Sequence, residues 1–431
     1  MTRKINRKRG CGLWLMLLAL LWFTPNLPAQ ESTDFKFSFA PGTPPPGYLH
    51  VSPDDIYDAD PGYGFEPGAK AVSLDRGAAG FVTSDKPFYF SVALPEGNYN
   101  VALTLGDAAG ESTTTVKAEL RRLMLENVHT DARQLVTRRI TVNIRRAKIS
   151  TGGSVHLKPR EATTEAWAWD EKLTLEFNGR RPCLDRMEIS KAEVSTVYLL
   201  GDSTVCDQPE EPWSSWGQML TRFLKPGVAV SNQAESGETA DGSIRAHRLD
   251  KVLSTMKPGD YLFIQFGHND MKERGPGVGP FTSYTAALKT FVDRARSKGG
   301  IPVLITPVNR RMMDSAGHVT NSLKEYPDAV RLLAKSANVP LIDLNAMSKT
   351  LYEAIGPKEL SKAFVDQTHH NAYGSYELAK CVVQGILDHK LDVAKFIVDD
   401  WKPFDPAHPD AIGSVTIPAS PRVSTTVPSG G

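Results

Sequence analysis

Two textures of hydrophobic patterning divide the chain. From Phe35 to about Val194, short apolar runs alternate with polar positions between turn residues. Residues 88–93 and 99–105 alternate on either side of Pro95-Glu96-Gly97-Asn98, and similar runs lie at 137–144, 154–157, 172–177 and 186–189. Period-two alternation predicts half-buried strands, and a series of roughly eight predicts a β-sandwich. Residues 120–125 are ambiguous and include strand among their readings.

After Val194 the apolar runs become continuous, at 196–200, 228–231, 261–266, 301–305 and 340–342. Between and after them lie helical periodicities at 216–223, 243–256, 281–298, 326–335, 346–355 and 373–387. Buried strands separated by helices predict an open parallel sheet covered on both faces. Ligands of such sheets bind beyond the carboxyl ends of the strands, which selects the loops after residues 200, 231, 266 and 364. Residues 401–431, with six Pro and many Ser and Thr, predict an extended tail.

Composition narrows the class. A chain of 431 residues exceeds one average domain. Its 41% hydrophobic content, 7 Trp and 17 Phe exclude a disordered chain, and 50 Lys+Arg against 49 Asp+Glu excludes the basic surface of a nucleic-acid binder. The balance is local, because Arg3, Lys4, Arg7, Lys8 and Arg9 precede an apolar run at 13–23. That run is shorter than the roughly 20 residues that span a bilayer, and Pro25, Pro28 and Ala29 follow it. Residues 1–29 therefore predict an export signal, with an uncleaved membrane anchor as the rival reading; removal of the signal leaves a secreted or periplasmic protein of slightly negative charge with no membrane partner. The expected organisation is a β-sandwich at 31–193, an α/β unit at 194–400 and the tail at 401–431. Cys183, Cys206 and Cys381 remain after cleavage; their odd number permits at most one internal disulfide, and their spacing fits no zinc or C-x-x-C motif.

Each selected loop holds suggestive chemistry. Ser203 follows the first strand in Gly201-Asp202-Ser203-Thr204, at a turn that presents a hydroxyl at the sheet edge. Gly237 follows the second, where a glycine brings its N–H close to a bound group without steric cost. Asn269 follows the third, in Gly267-His268-Asn269-Asp270, and carries an amide donor suited to a developing oxyanion. Asp366 and His369 lie three apart before the last helix, so the carboxylate takes Nδ1–H and leaves Nε2 to accept a proton from Ser203. Each cluster alone is weak; four at four expected loops are jointly strong. His268, Asp270, Asp366, His369 and His370 are also metal-ligand types, but adjacent ligands are awkward and a metal leaves Ser203 and Asn269 unexplained.

These four blocks, in this order, resemble those of the SGNH or GDSL hydrolases. Asp250-Lys-Val-Leu, residues 258–270, Thr306-Pro-Val-Asn-Arg-Arg and Asn371-Ala-Tyr-Gly resemble its rhamnogalacturonan acetylesterase-like branch. Thr204, where the name-giving motif has Leu, departs from the superfamily pattern and suits that branch. The resemblance implies a flavodoxin-like three-layer αβα domain and a Ser203–His369–Asp366 acyl-enzyme mechanism. It further implies an oxyanion hole of the Ser203 and Gly237 N–H groups with the Asn269 side chain, and no metal or organic cofactor. Residues 35–193 resemble a galactose-binding-like β-domain. The implied substrate is an acetylated polysaccharide, foremost rhamnogalacturonan, with acetylated xylan as the alternative. A carbohydrate-binding protein on a retired esterase is the reading of another class; retention of all five site residues speaks against it.

Arg310 and Arg311 are candidates to pair with a galacturonate carboxylate, only one of them facing the cleft, with a salt bridge to a helix as the rival role. Trp213 is a candidate stacking platform for a sugar, and Trp216 is expected in the core. Trp167 and Trp169 are expected on one strand face, at an interface or in the core, with a sugar platform as the alternative. Oligomeric state is not legible in these patterns.

Overall fold

The computed structural model describes residues 1–2, 33–75 and 80–429. The export signal expected at 1–29 lies, past its first two residues, outside them. Among the described residues no helix is long and apolar enough to cross a membrane.

Residues from Phe35 to Lys191 form two facing sheets. One runs Val136–Ile144, Gly97–Leu105, Cys183–Lys191, Phe35–Ser38, Leu49–His50, with Phe81–Thr83 and Val72–Leu74 attached to Cys183–Lys191. The other runs Tyr63–Phe65, Phe88–Ala93, Lys172–Asn178, Ser112–Ala118, Arg122–Thr130. Gly97–Leu105 shows why alternation was legible: Tyr99, Val101, Leu103 and Leu105 are buried while the positions between them are not. Phe90 gathers Phe37, Phe39 and Phe65 at ring separations of 5.4, 5.2 and 5.2 Å, giving the sandwich an aromatic centre.

Five parallel strands follow: β1 (Ser195–Gly201), β2 (Val228–Asn232), β3 (Tyr261–Gln265), β4 (Ile301–Ile305) and β5 (Leu341–Ile342), in the order β2-β1-β3-β4-β5. This is the flavodoxin-like order, which reverses direction beside β1 and opens a crevice there. Helices α1 (Trp216–Leu220), α2 (Ala240–Arg245), α3 (Arg248–Thr255), α4 (Thr285–Ser297), α5 (Tyr326–Ala337), α6 (Leu344–Ile355) and α7 (Ala372–Asp388) complete the unit. Two apolar clusters, centred on Val197, Phe263 and Val303 and on Leu200, Leu262 and Leu304, fill the opposite faces of the sheet.

Four expectations change. The helix expected at 243–256 is two helices, broken where His247 adopts φ 60°. Residues 154–157 form only a bridge from Ser154 to Lys148, and the His156 N–H instead reaches the Ala246 carbonyl at 3.0 Å. Trp167 and Trp169 lie on and just after a 3-10 turn, Ala166–Ala168, rather than on a strand. The guanidinium of Arg145 covers Trp169, and that of Arg422 covers Trp167. Residues past Trp401 are extended but lie on the protein. Lys117 Nζ donates to the Pro418 carbonyl at 2.7 Å, and Val423 bridges Glu211.

The two β-sheets are joined to the parallel unit by buried charge. Arg122, at the start of Arg122–Thr130, donates to the Val230 carbonyl of β2 at 2.9 Å and pairs with buried Asp207 at 3.3 Å. Arg121 donates to the carbonyls of Gln208 and Trp213, both at 3.0 Å. Leu123, beside them, belongs to the apolar core of the parallel unit. The ambiguous stretch 120–125 is thus a turn running into a strand.

Candidate active site

β1 ends at Gly201, where a Cβ would stand 2.6 Å from both the Gln265 carbonyl oxygen and Val205 Cγ2, so only glycine fits. The chain then turns tightly. Asp202 Oδ1 accepts from the Thr204 N–H at 2.9 Å and its hydroxyl at 2.8 Å, while Asp202 Oδ2 meets His268 Nδ1 at 3.2 Å. Burial works to raise the Asp202 pKa, but His268 and Thr204 outweigh it and hold the carboxyl below its ordinary value. Asp202 and His268 thus brace two loops against each other.

The turn places Ser203 Oγ 2.9 Å from His369 Nε2, and His369 Nδ1 lies 2.8 Å from Asp366 Oδ2. Asp366 Oδ1 accepts the backbone N–H groups of Thr368 and His369, both at 2.6 Å. Burial pushes the Asp366 carboxyl up; the hydrogen bonds and charge of His369 prevail and bring it down to about 2. An ionised carboxylate therefore fixes the ring so that Nε2 faces the hydroxyl. Ser203 and His369 are buried, which removes water that would compete for these bonds. Neighbouring His370 plays a different part: its Nε2 meets the Tyr352 hydroxyl at 2.7 Å, and burial, with His369 and His268 adding to it, pushes its pKa down to about 3.

Gly237 sits at φ 76° in a turn closed by a 3.2 Å bond from the Glu238 N–H to the Glu235 carbonyl. Ser236 does not have positive φ, so this is a type II turn, with the left-handed residue at its third position. Gln208 Nε2 ties this turn to the first loop, bonding the Ser203 carbonyl at 2.8 Å and Ser236 Oγ at 3.3 Å. Asn269 Nδ2 donates to the Glu238 carbonyl at 3.0 Å, which joins the third loop to the same turn. The loops carrying Ser203, Gly237, Asn269 and Asp366–His369 are thereby linked by hydrogen bonds. Such an arrangement can deprotonate a hydroxyl nucleophile and present N–H donors beside it.

The remaining candidates divide. Arg310 stands beside the site and bonds neutral acceptors: Thr368 Oγ1 at 3.1 Å, Met271 Sδ at 3.3 Å and the His268 carbonyl at 3.4 Å. Arg311 is half-buried and engages the site loop through its backbone, its N–H donating to the Gln367 carbonyl at 2.8 Å. Trp213 differs from expectation. Its ring is 5% exposed, too little for a sugar platform, and it meets the His369 ring edge-on at 5.7 Å while its indole N–H reaches the Ser424 carbonyl at 3.2 Å. Trp216 is in the core, its N–H satisfied by Gln265 at 2.9 Å. The three thiols are buried and unpaired. Glu161, Glu165 and Glu235 lie close enough together to hold an ion, but Arg160 pairs with two of them and Arg248 with the third.

Sequence reasoning missed Gln208, Arg121 and Arg122. None belongs to a motif, and the two arginines come from the β-sheet region; their only sequence mark is a pair of cations in an otherwise apolar stretch.

The family described as GDSL-like Lipase/Acylhydrolase matches residues 199–375. The chain is 41% identical over 219 residues to a rhamnogalacturonan acetylesterase of Bacillus subtilis (strain 168), which spans 47% of this chain and 94% of that one. It is 28% identical over 386 residues to the esterase YxiM of the same organism, spanning 86% of this chain and 95% of the relative. A crystal structure of YxiM aligns with a TM-score of 0.45 at 26% identity, over 83% of this chain and 99% of that one.

Proposed function

Since the chain belongs to the GDSL-like lipase/acylhydrolase family and is a serine ester hydrolase, we propose that it is an exported carbohydrate esterase that removes O-acetyl groups from rhamnogalacturonan. The observation that carries the reading is the chain of contacts from Ser203 Oγ through His369 to Asp366. His369 Nε2 takes the Ser203 proton as Oγ attacks the acetyl carbonyl, and Asp366 stabilises the resulting imidazolium. The oxyanion is held by the N–H groups of Ser203 and Gly237 and by Asn269, whose amide keeps a second hydrogen free of Glu238. Collapse returns the proton from His369 to the departing sugar oxygen. Water, deprotonated by the same ring, then releases acetate from Ser203. No step needs a metal.

The relative that supports the substrate is a rhamnogalacturonan acetylesterase by name. Arg310 supports it locally, as a guanidinium beside the site whose polar contacts are all to neutral acceptors, so it retains its charge for a uronate carboxylate.

Acetate release is the test, measured on acetylated rhamnogalacturonan, acetylated xylan and a small aryl acetate. The expected order places rhamnogalacturonan first, with all three activities lost in Ser203→Ala. Arg310→Met should raise KM on the acidic polymer and leave the aryl acetate unchanged. Retained turnover in Ser203→Ala overturns the mechanism; preference for xylan overturns the substrate.

A further inference from the structure

The turn that carries Gly237 is gripped from outside the parallel unit. Lys158 Nζ donates to the Ser236 carbonyl at 2.7 Å and pairs with Glu238 at 2.6 Å. Arg160 donates to the same carbonyl and pairs with Glu235. Both cations flank the start of a short 3-10 turn, Pro159–Ala162, within the β-sheet region. Glu161 anchors that turn, accepting the Lys158 N–H at 2.8 Å and Arg248 Nη2 at 2.6 Å.

The Ser236 carbonyl and the Gly237 N–H belong to one planar trans peptide and point in opposite directions. Type I and type II turns differ by a rotation of roughly 180° of this central peptide. Whatever holds the carbonyl therefore decides which side the N–H faces. Two cations on one carbonyl oxygen also polarise the amide and strengthen its N–H as a donor. The Lys158–Glu238 pair further steadies the residue whose carbonyl receives Asn269.

We propose that Lys158 and Arg160 are positioning residues of the ester hydrolase: cations lent by the β-sheet region that lock the Ser236–Gly237 peptide with its N–H available to the oxyanion. The proposal rests on the reading of Gly237 as an oxyanion donor. It makes the β-sheet region part of the catalytic apparatus, whether or not that region binds carbohydrate.

The test uses the full chain, 4-nitrophenyl acetate as substrate and methylboronic acid as a tetrahedral adduct mimic on Ser203. A small ester separates orientation of the hole from recognition of a polymer. Lys158→Met is expected to lower kcat about tenfold and Lys158→Met/Arg160→Met about 100-fold, the scale of losing one oxyanion donor. KM should stay within about threefold, and boronate Ki should rise in step with the fall in kcat. Lys158→Arg and Arg160→Lys should restore most of the rate, because each keeps a donor on the carbonyl. Arg160 also donates to Ser429 Oγ at 2.8 Å, so Lys158→Met is the variant that isolates the turn.

A double variant with kcat within twofold of the parent overturns the proposal. So does a loss of kcat with boronate Ki unmoved, or a loss that tracks a lowered melting temperature and persists in the conservative variants. Ser203→Ala, measured alongside, separates the levels: if it keeps turnover, the underlying mechanism fails. If it is inactive while the Lys158 and Arg160 variants keep full kcat, only the positioning role fails.

Discussion

Replacing Asp366 with Asn tests the hydrogen-bond logic of the site most sharply. Asp366 Oδ1 accepts two backbone N–H groups at 2.6 Å, and Oδ2 faces His369 Nδ1 at 2.8 Å. An asparagine has one acceptor oxygen. Turning its NH₂ toward the backbone would leave two N–H groups unsatisfied, at about 1–3 kcal/mol each. The oxygen therefore stays on the backbone and the NH₂ faces Nδ1, which must then be bare. The ring proton moves to Nε2, 2.9 Å from Ser203 Oγ, and the ring donates to the hydroxyl it should deprotonate. The expected fall in kcat is about 10⁴-fold, or about 5 kcal/mol of barrier, with KM little changed.

Stability moves with it. The Asp366 carboxyl is brought down to about 2, and the side chain is 26% exposed. Against an ordinary value of about 3.9, this is worth about 2 kcal/mol, less after solvent screening. Because the folded pKa is the lower one, the contribution is complete above about pH 4 and is lost as pH falls toward 2. Asp366→Asn should thus be less stable than the parent at pH 7, and the gap should close in strong acid. Steady-state hydrolysis of an aryl acetate and urea unfolding at several pH values measure both effects. A kcat within tenfold of the parent, or a loss carried by KM alone, would falsify the tautomer argument.

Three further outcomes follow from burial. Arg122→Met strands the buried Asp207 carboxylate and should cost about 3–5 kcal/mol, read as a lowered urea midpoint; an unchanged midpoint refutes the interface as a charged core. His370, pushed down to about 3, refuses a proton that the unfolded chain accepts below about pH 6.5. It therefore destabilises the fold by about 1.4 kcal/mol per pH unit from there toward 3. In His370→Gln that slope should shrink by one proton, and equal slopes would refute it. Cys183, Cys206 and Cys381 are buried, with the Cys206 thiol raised to about 12 by burial. Iodoacetamide at pH 8 should label none of them until denaturant is added; prompt labelling of the native protein contradicts their placement.

How much of this was legible in the sequence depends on the range of the interaction. Strands β1 to β4 were readable because a strand buried on both faces writes its burial directly as a run of apolar residues. The meeting of the loops that carry Ser203, Asn269, Asp366 and His369 was readable because an open parallel sheet gathers its loops at the carboxyl ends of the strands, where each local cluster is short. The break at His247 was not, since the apolar positions keep their helical spacing across it and only the backbone dihedral departs. Nor was the course of residues 401–429, whose Pro and Ser content describes an extended chain without saying what it lies on. Lys158 and Arg160 were least legible of all: each acts on a carbonyl more than 70 residues away, and a backbone acceptor leaves no trace in side-chain identity.

Strand β2 lies at the margin of the parallel sheet, yet every one of its five residues is buried. The cover comes from the preceding region, through Arg122 on the Val230 carbonyl and through Thr141 Oγ1, which accepts the Gly227 N–H at 3.3 Å. An exposed strand margin of Val-Ala-Val would be a template for self-association. The β-sheet region covers that margin, and a parallel unit without such a cover is expected to blunt it by other means, such as a charge or a bulge.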